Sequence, residues 1–419
     1  MISSRRFRFV ECLCFVFCAG LLQAEEVQKP KFRTDADGPY SAVELKKLAG
    51  KDKAEVLQWF QLVDGEFPPE GSAHAISGEL IYVDHLERRF HIRTDRNDSQ
   101  DRGAWDLPLD AVMLPYGSIY YHGAPAALQD IPLGTHLHGL FYWRAPDDTT
   151  PPAASSGNRK TPEINFRRCF LIEDDFTHDA KQKQLWKVES VDLSTKKLVA
   201  VPERDRKATG KPHIFDLLTS TRVLKGSGFA DLKSIEPGQT VALNLTWGTL
   251  YGPGRVVEMW LDEPSRLLAT AQQLERHRNH VRDRGLAGWI DAVDDEAQIV
   301  TITFFGGVDP QLFDELTLLP PEVPATPLTK VVAAVAGPRG SIAVARDSLM
   351  TYDPVNDRKG GPVLDIVKVP VQPGSSGVQI RVRCDLLLEG FRPRRIVRFY
   401  PATWKVVALP REEQYFGRE

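Results

Sequence analysis

The sequence predicts a mainly β protein of three tandem five-stranded antiparallel small barrels with connecting helices. A strand–turn–strand frame recurs around Val83-Asp84, Val191-Asp192 and Val293-Asp294. Each frame has period-two alternation and an aspartate opening its turn. The frames recur about every hundred residues, which marks an internal repeat. Further short strands follow each frame with no helical crossover, so antiparallel neighbours are expected.

Residues 1–24 read as an address. Arg5, Arg6 and Arg8 precede an apolar run from Cys12 to Leu22, and the small Ala24 follows. This is the pattern of a secretory signal peptide cut after Ala24, with lipidation at Cys18 or a retained anchor as the alternatives. The run is short for a bilayer span, and no later segment is apolar enough to replace it. Cleavage moves the formal net charge from -3 to -5 and leaves only Cys169 and Cys384. In an oxidising compartment these two either pair or remain separate buried thiols.

An N-terminal extension covers 25–76 and carries a helical pattern over 41–63. Repeat 1 runs over 77–176, with a Pro/Ser-rich loop at 147–164. Repeat 2 runs over 177–263 and opens on a short helix near 177–185. A linker helix follows over 264–286. Leu267, Leu268, Leu274 and Val281 share one face, Pro264 suits its first turn and Gly285 its stop. Repeat 3 runs over 287–410 with a Pro- and Val-rich insertion near 306–340, and 411–419 is a tail.

Within each repeat, residues 105–117 match 215–227 and, less closely, 345–354. Turn glycines Gly134, Gly238 and Gly374 each precede a strand, at 135–143, 239–247 and 378–384. A closing strand comes last, at 167–174, 255–262 and 394–400. Five short strands leave two edges bare unless they close on themselves. The meander, the turn glycine and the length resemble a five-stranded OB-like barrel. The resemblance is to an architecture, and two-sheet sandwich units are the alternative.

Composition excludes several classes. With 42% hydrophobic and 26% charged residues the chain is no disordered tract, collagen or long coiled coil. A slightly acidic balance makes nucleic acid an unlikely partner, and export argues the same way. The sequence has no G-x-S-x-G, Walker A, dinucleotide fingerprint, HExxH or CxxC. Acidic pairs such as Asp174-Asp175 sit at strand ends and read as turn chemistry.

Two patterns carry candidate chemistry. His136 and His138 are two apart on a strand and share a face. The repeat assigns Leu137, Phe141 and Trp143 to the core, so the histidines face away from it. With His122, or with His85, His91 or an acid, they can hold Zn or Cu. Otherwise they line a solvated or inter-unit face. The second pattern is basic and aromatic: Arg381 and Arg383 flank Val382, and Arg392, Arg394, Arg395 and Arg398 precede Phe399 and Tyr400. Such a face suits an anionic ligand, whether phosphate, polyanionic glycan or single-stranded nucleic acid, or is a salt-bridged sheet surface. Tyr116, Tyr120, Tyr121 and Tyr142 either stack on sugars or fill core and rim.

The expectation is an exported, non-enzymatic binding or scaffold protein of the cell envelope. Its partner is another envelope protein, a glycan or an anionic ligand, because repeats of this kind extend surface. The alternatives are a metal-binding protein using the histidines, and a carbohydrate hydrolase with a site between repeats.

Overall fold

The computed structural model describes residues 32–38, 40–48, 50–96, 108–143, 166–249, 251–318, 332–335, 362–383, 391–401 and 403–404. The expected signal peptide, the loop at 147–164, Cys384, most of the insertion and the tail lie outside them.

The three recurring frames are hairpins. They pair β1 (His74–Asp84) with β2 (Arg89–Thr94), β6 (Gln184–Asp192) with β7 (Lys197–Arg204), and β11 (Leu286–Asp294) with β12 (Ile299–Phe305). The aspartate does the same work in each turn. Asp84 accepts from Leu86 N–H at 3.1 Å, Asp192 from Ser194 N–H at 2.8 Å and Asp294 from Ala297 N–H at 2.9 Å. Four residues on, Arg88, Lys196 and Gln298 adopt left-handed φ of 53°, 53° and 57°. A bulge falls at the same point of each hairpin, after Leu80, Val188 and Ile290.

In the first unit, β3 (Leu109–Tyr121), β4 (His136–Trp143) and β5 (Phe166–Asp174) complete a closed ring. β2 pairs with β1, β1 with β4, β4 with β5, β5 with β3, and β3 with β2. In the second unit β8 (His213–Lys225), β9 (Thr240–Trp247) and β10 (Pro253–Trp260) repeat that order.

The expectation of wholly antiparallel barrels fails here for a geometric reason. A closed ring with an odd number of strands cannot alternate direction all the way round. One pair must run parallel, and it is β3 with β5 and β8 with β10.

Among the described residues the third sheet is not closed. Its order is β13 (Val332–Val335), β16 (Ile396–Tyr400), β11, β12, β15 (Ser375–Arg383), β14 (Val363–Lys368). Register also corrects the expected alignment of its strands. Leu80 exchanges main-chain bonds with Gly134 and Thr135 at 2.7 and 2.9 Å. Val188 does so with Gly238 and Gln239, and Ile290 with Arg394 and Arg395. The counterpart of Gly134 is therefore Arg394, not Gly374. Thus β16 corresponds to β4 and β9, while β15 corresponds to β3 and β8.

Each sheet wraps its own core. Leu80, Phe90, Ile92, Leu137 and Phe141 fill the first, Val188, Leu198, Val241 and Val256 the second, and Val300, Ile302, Ile380, Val397 and Phe399 the third. Cys169 is a free thiol buried in the first core. Tyr116 and Tyr142 join Trp289 and Phe305 in an aromatic cluster between the first and third sheets.

Three α-helices lie among the described residues. In the N-terminal extension only Ala42–Leu48 forms α1, shorter than its pattern suggests. α2 (Asp175–Lys181) is capped by Asp174, which accepts from Thr177 N–H at 3.0 Å. α3 (Glu263–Arg284) starts at the Asp262 cap with Pro264 in its first turn and ends at Gly285, φ 78°. Its buried stripe is Ser265, Ala269, Gln273, His277 and Val281, while Leu267 is 62% exposed. The helix docks through polar and small groups rather than a leucine face. Gln273 donates to Asp130 at 3.0 Å and Thr270 to His122 O at 2.7 Å. No helix among the described residues is long and apolar enough to cross a membrane.

Candidate functional site

Alternation on β4 sends Leu137 into the first core and turns His136 and His138 outward. His136 is shut off from water, and His138 is only partly exposed. They face α2 and the wall of the second barrel, where strand β9 supplies Asn244 and Leu245. His136 lies between two carboxylates, its Nδ1 2.7 Å from Asp175 Oδ1 and its Nε2 2.8 Å from Asp95 Oδ2. His138 Nε2 donates to Asp175 Oδ1 at 3.0 Å, and its ring stacks on His178 at 3.8 Å. Asp175 Oδ2 accepts from Leu245 N–H at 2.9 Å, and Asp95 Oδ1 from Trp247 Nε1–H at 3.1 Å. Burial alone would discharge His136, but Asp175 and Asp95 outweigh it and raise its pKa to about 10. Burial likewise opposes ionisation of Asp175, and the His136 charge with both histidine hydrogen bonds holds it well below the usual carboxylate range.

His122 is placed elsewhere. It stacks on Tyr121 at 3.7 Å, and its Nε2–H donates to Glu258 Oε2 at 2.9 Å. Glu258 also accepts from Tyr121 Oη–H at 3.1 Å, from Asn244 at 3.0 Å and from Arg222 at 2.5 Å. Asn244, fully buried, ties the two clusters together. Its amide donates to Asp174 at 2.9 Å and accepts from Phe176 N–H at 2.9 Å. The structure thus joins His136 and His138 to Asp175 rather than to His122. Asp95, Asp175, Asn244 and Glu258 were not legible as site residues, because the partners they meet are remote in sequence.

Comparison with protein-family models, with curated proteins and with solved structures finds no match. The chemistry therefore has to be argued from the residues alone.

Arg381 and Arg383 share an exposed face, and the arginines of 392–398 lie apart from it. Arg381 and Arg383 are exposed on β15, which is separated from β16 by two strands. Arg392 pairs with Asp295 at 3.2 Å. Arg394 holds the left-handed turn with φ 70°, lies 3.8 Å from Glu66, and precedes the exposed Arg395. Tyr400 is a core residue, 1% exposed, and its hydroxyl reaches Asp283 O at 3.5 Å. Only Arg398 turns into a cavity.

That cavity, of about 140 Å³, lies between the first barrel, the C-terminal half of α3 and the third sheet. Arg88, Arg284 and Arg398 line it together with His277 and His280, and among the described residues no Asp or Glu does. The two remote arginines arrive for local reasons. Arg88 holds the left-handed position of the first hairpin turn and donates to Pro115 O at 3.2 Å. Arg284 is the last residue of α3. The like charges feel one another: burial and Arg398 pull Arg88 down to about 10. Burial, then Arg284, Arg398, His277 and Arg88, push His280 down to about 3. His277 is buried, and its Nδ1 has no hydrogen-bond partner. At neutral pH the arginines carry the positive charge and the histidines are neutral.

Proposed function

We propose that this chain is an exported, non-enzymatic binding protein that holds a small oxyanion in the Arg88–Arg284–Arg398 cavity. The observation that carries the reading is three guanidinium groups, on three different elements, lining one cavity. Guanidinium is the side chain best matched to phosphate or carboxylate oxygens. The volume argues for a small ligand. About 140 Å³ is well below the roughly 300–1,000 Å³ of cavities for drug-sized molecules. It is ample for a tetrahedral oxyanion or a small carboxylate.

The two closed barrels are read as OB-like, with the short-loop meander and the single parallel closure of that architecture. His85 and Arg88 line the cavity from the loop between the first two strands of barrel one, and OB-like barrels often bind through that loop. Export rests on the N-terminal pattern of residues 5–24, and is checked by finding Glu25 at the mature N-terminus. A hydrolytic pair at the barrel junction is disfavoured, since Asp174, Asp175 and Glu258 each accept several protein hydrogen bonds.

Calorimetry and thermal unfolding with phosphate, sulfate and a small dicarboxylate test the reading, with chloride at equal ionic strength as reference. A ligand at a hundred times its Kd stabilises by about 2.7 kcal/mol. Saturable stabilisation by one of these anions, abolished in Arg398→Gln, is expected. Equal melting in all four salts would sink the proposal.

A further inference from the structure

We propose that His136 Nδ1, His138 Nε2 and Asp175 Oδ1 bind one divalent transition-metal ion of the Zn2+ type at the junction of the two closed barrels. This site is separate from the oxyanion cavity and does not depend on it.

Convergence comes first. The three donor atoms all lie within 4.8 Å of one another, two on one strand face and the third at the start of α2. Ligands about 2.0–2.1 Å from a tetrahedral ion stand roughly 3.3 Å apart. The present spacings from Asp175 Oδ1 are 2.7 Å to His136 and 3.0 Å to His138. The two Asp175 spacings have to open by well under an ångström, and the two imidazole nitrogens, within 4.8 Å of one another, have to settle at the same separation.

The surrounding shell is the stronger observation. A metal ligand works when its other polar atom is held, which fixes tautomer and orientation. Here every one is. His136 Nε2 is held by Asp95 at 2.8 Å, His138 Nδ1 by Ser77 Oγ at 3.4 Å, and Asp175 Oδ2 by Leu245 N–H at 2.9 Å. Asp95 is itself fixed by Trp247 from the second barrel. The ion displaces the protons on His136 Nδ1 and His138 Nε2: His136 releases one to solvent and keeps Nε2–H on Asp95, and His138 becomes the Nδ1–H tautomer, donating to Ser77 Oγ.

Donor type narrows the ion. Two imidazoles and one carboxylate suit Zn2+ and its first-row neighbours, not Ca2+ or Mg2+, which prefer oxygen alone. Three protein ligands leave a position for solvent or an exchangeable group. The His136 and Asp175 side chains are 3% and 8% exposed, but that of His138 is 25% exposed, so the ion reaches the site from the His138 side.

The test uses the full mature chain, purified without an affinity tag and stripped with a chelator. Zn2+ is titrated against a chromophoric chelator, and Co2+ is followed by its visible d–d bands. One equivalent is expected, with the intense bands of low-coordinate Co2+. Asp95→Asn leaves the ligand set intact and should weaken Zn2+ about 10–100-fold. His138→Ala should abolish binding, and His213→Ala, on the outer surface of the second barrel, should not change it. Should Asp175→Asn fail to fold, the wild-type stoichiometry and the more exposed His138 variant still decide. Less than roughly 0.2 equivalents in the wild type, or unchanged affinity in His138→Ala, overturns the proposal. The cluster would then be an ion-paired fastening between barrels.

Discussion

Arg398 and His138 stand at the same register position of two different units. Each lies four residues after a left-handed turn residue, Arg394 or Gly134. Each directly follows a fully buried core residue, Val397 or Leu137, and sits opposite Ala287 or Ser77 on the neighbouring strand. The second unit puts Ala242 there, packed against Phe176, Trp260 and Ala269. This outward position is where each unit meets what covers it. In the third unit it faces a cavity, and in the first it faces the barrel junction.

If Arg398 adds its charge to the cavity, removing that charge changes the histidine beside it. His280 is pushed down to about 3 by burial first and then by Arg284, Arg398, His277 and Arg88. Arg398→Gln is expected to raise the His280 pKa. The readout is an NMR titration of the imidazole Cε1–H signals. A His280 that titrates identically in both proteins would separate the two side chains electrostatically.

Much of this fold is legible in the sequence, and the exceptions have causes. The hairpins announce themselves because Asp84, Asp192 and Asp294 cap their turns directly from the side chain. The outward face of His136 and His138 is legible because alternation on a strand is strict. The third unit misleads because Gly374 also has a left-handed φ of 90° and stands in a similar local rhythm. Its true counterpart to Gly134 carries an arginine. The docking face of α3 is hidden because Ser265, Gln273 and His277 leave no hydrophobic periodicity. Asp95 and Asp175 carry no local signal, since each meets His136 only in the fold, 41 and 39 residues away in sequence.

Asn244 is expected to be the most sensitive single residue of that junction. Its amide serves Asp174, Glu258 and Phe176 N–H at once. Asn244→Ala strands buried groups, at a cost of about 1–3 kcal/mol for each left unsatisfied. Asn244→Asp should be worse, because it sets a carboxylate against Asp174 and Glu258 where a donor is needed. Guanidinium unfolding of the two variants gives the order. An aspartate variant more stable than the alanine variant would contradict the assigned amide orientation.

Gly238 isolates backbone strain from packing. Its φ is 90°, and a Cβ at that position meets no atom within 4 Å. Gly238→Ala should therefore cost about 1–2 kcal/mol through conformation alone. Gly238→Asn should cost less, since asparagine tolerates the left-handed region. Equal losses in the two variants would point to a steric contact instead.

Acid sensitivity follows from the histidines of the cavity. Burial lowers His277 from 6.5 to about 4, with Asp309 and Asp130 opposing and Arg278 assisting, and His280 falls from 6.5 to about 3. Both are neutral in the folded state at a pH where the unfolded chain is already binding protons. Stability gained from keeping them neutral is complete above about pH 6.5 and is lost progressively as pH falls towards 4 and 3. His280→Gln should flatten that decline. An oxyanion in the cavity supplies negative charge beside both rings and raises their folded-state pKa values, so the loss on acidification shrinks. The measurement is chemical unfolding from pH 7 to pH 4, with and without saturating phosphate. If phosphate leaves the pH slope unchanged, the anion is not beside these histidines.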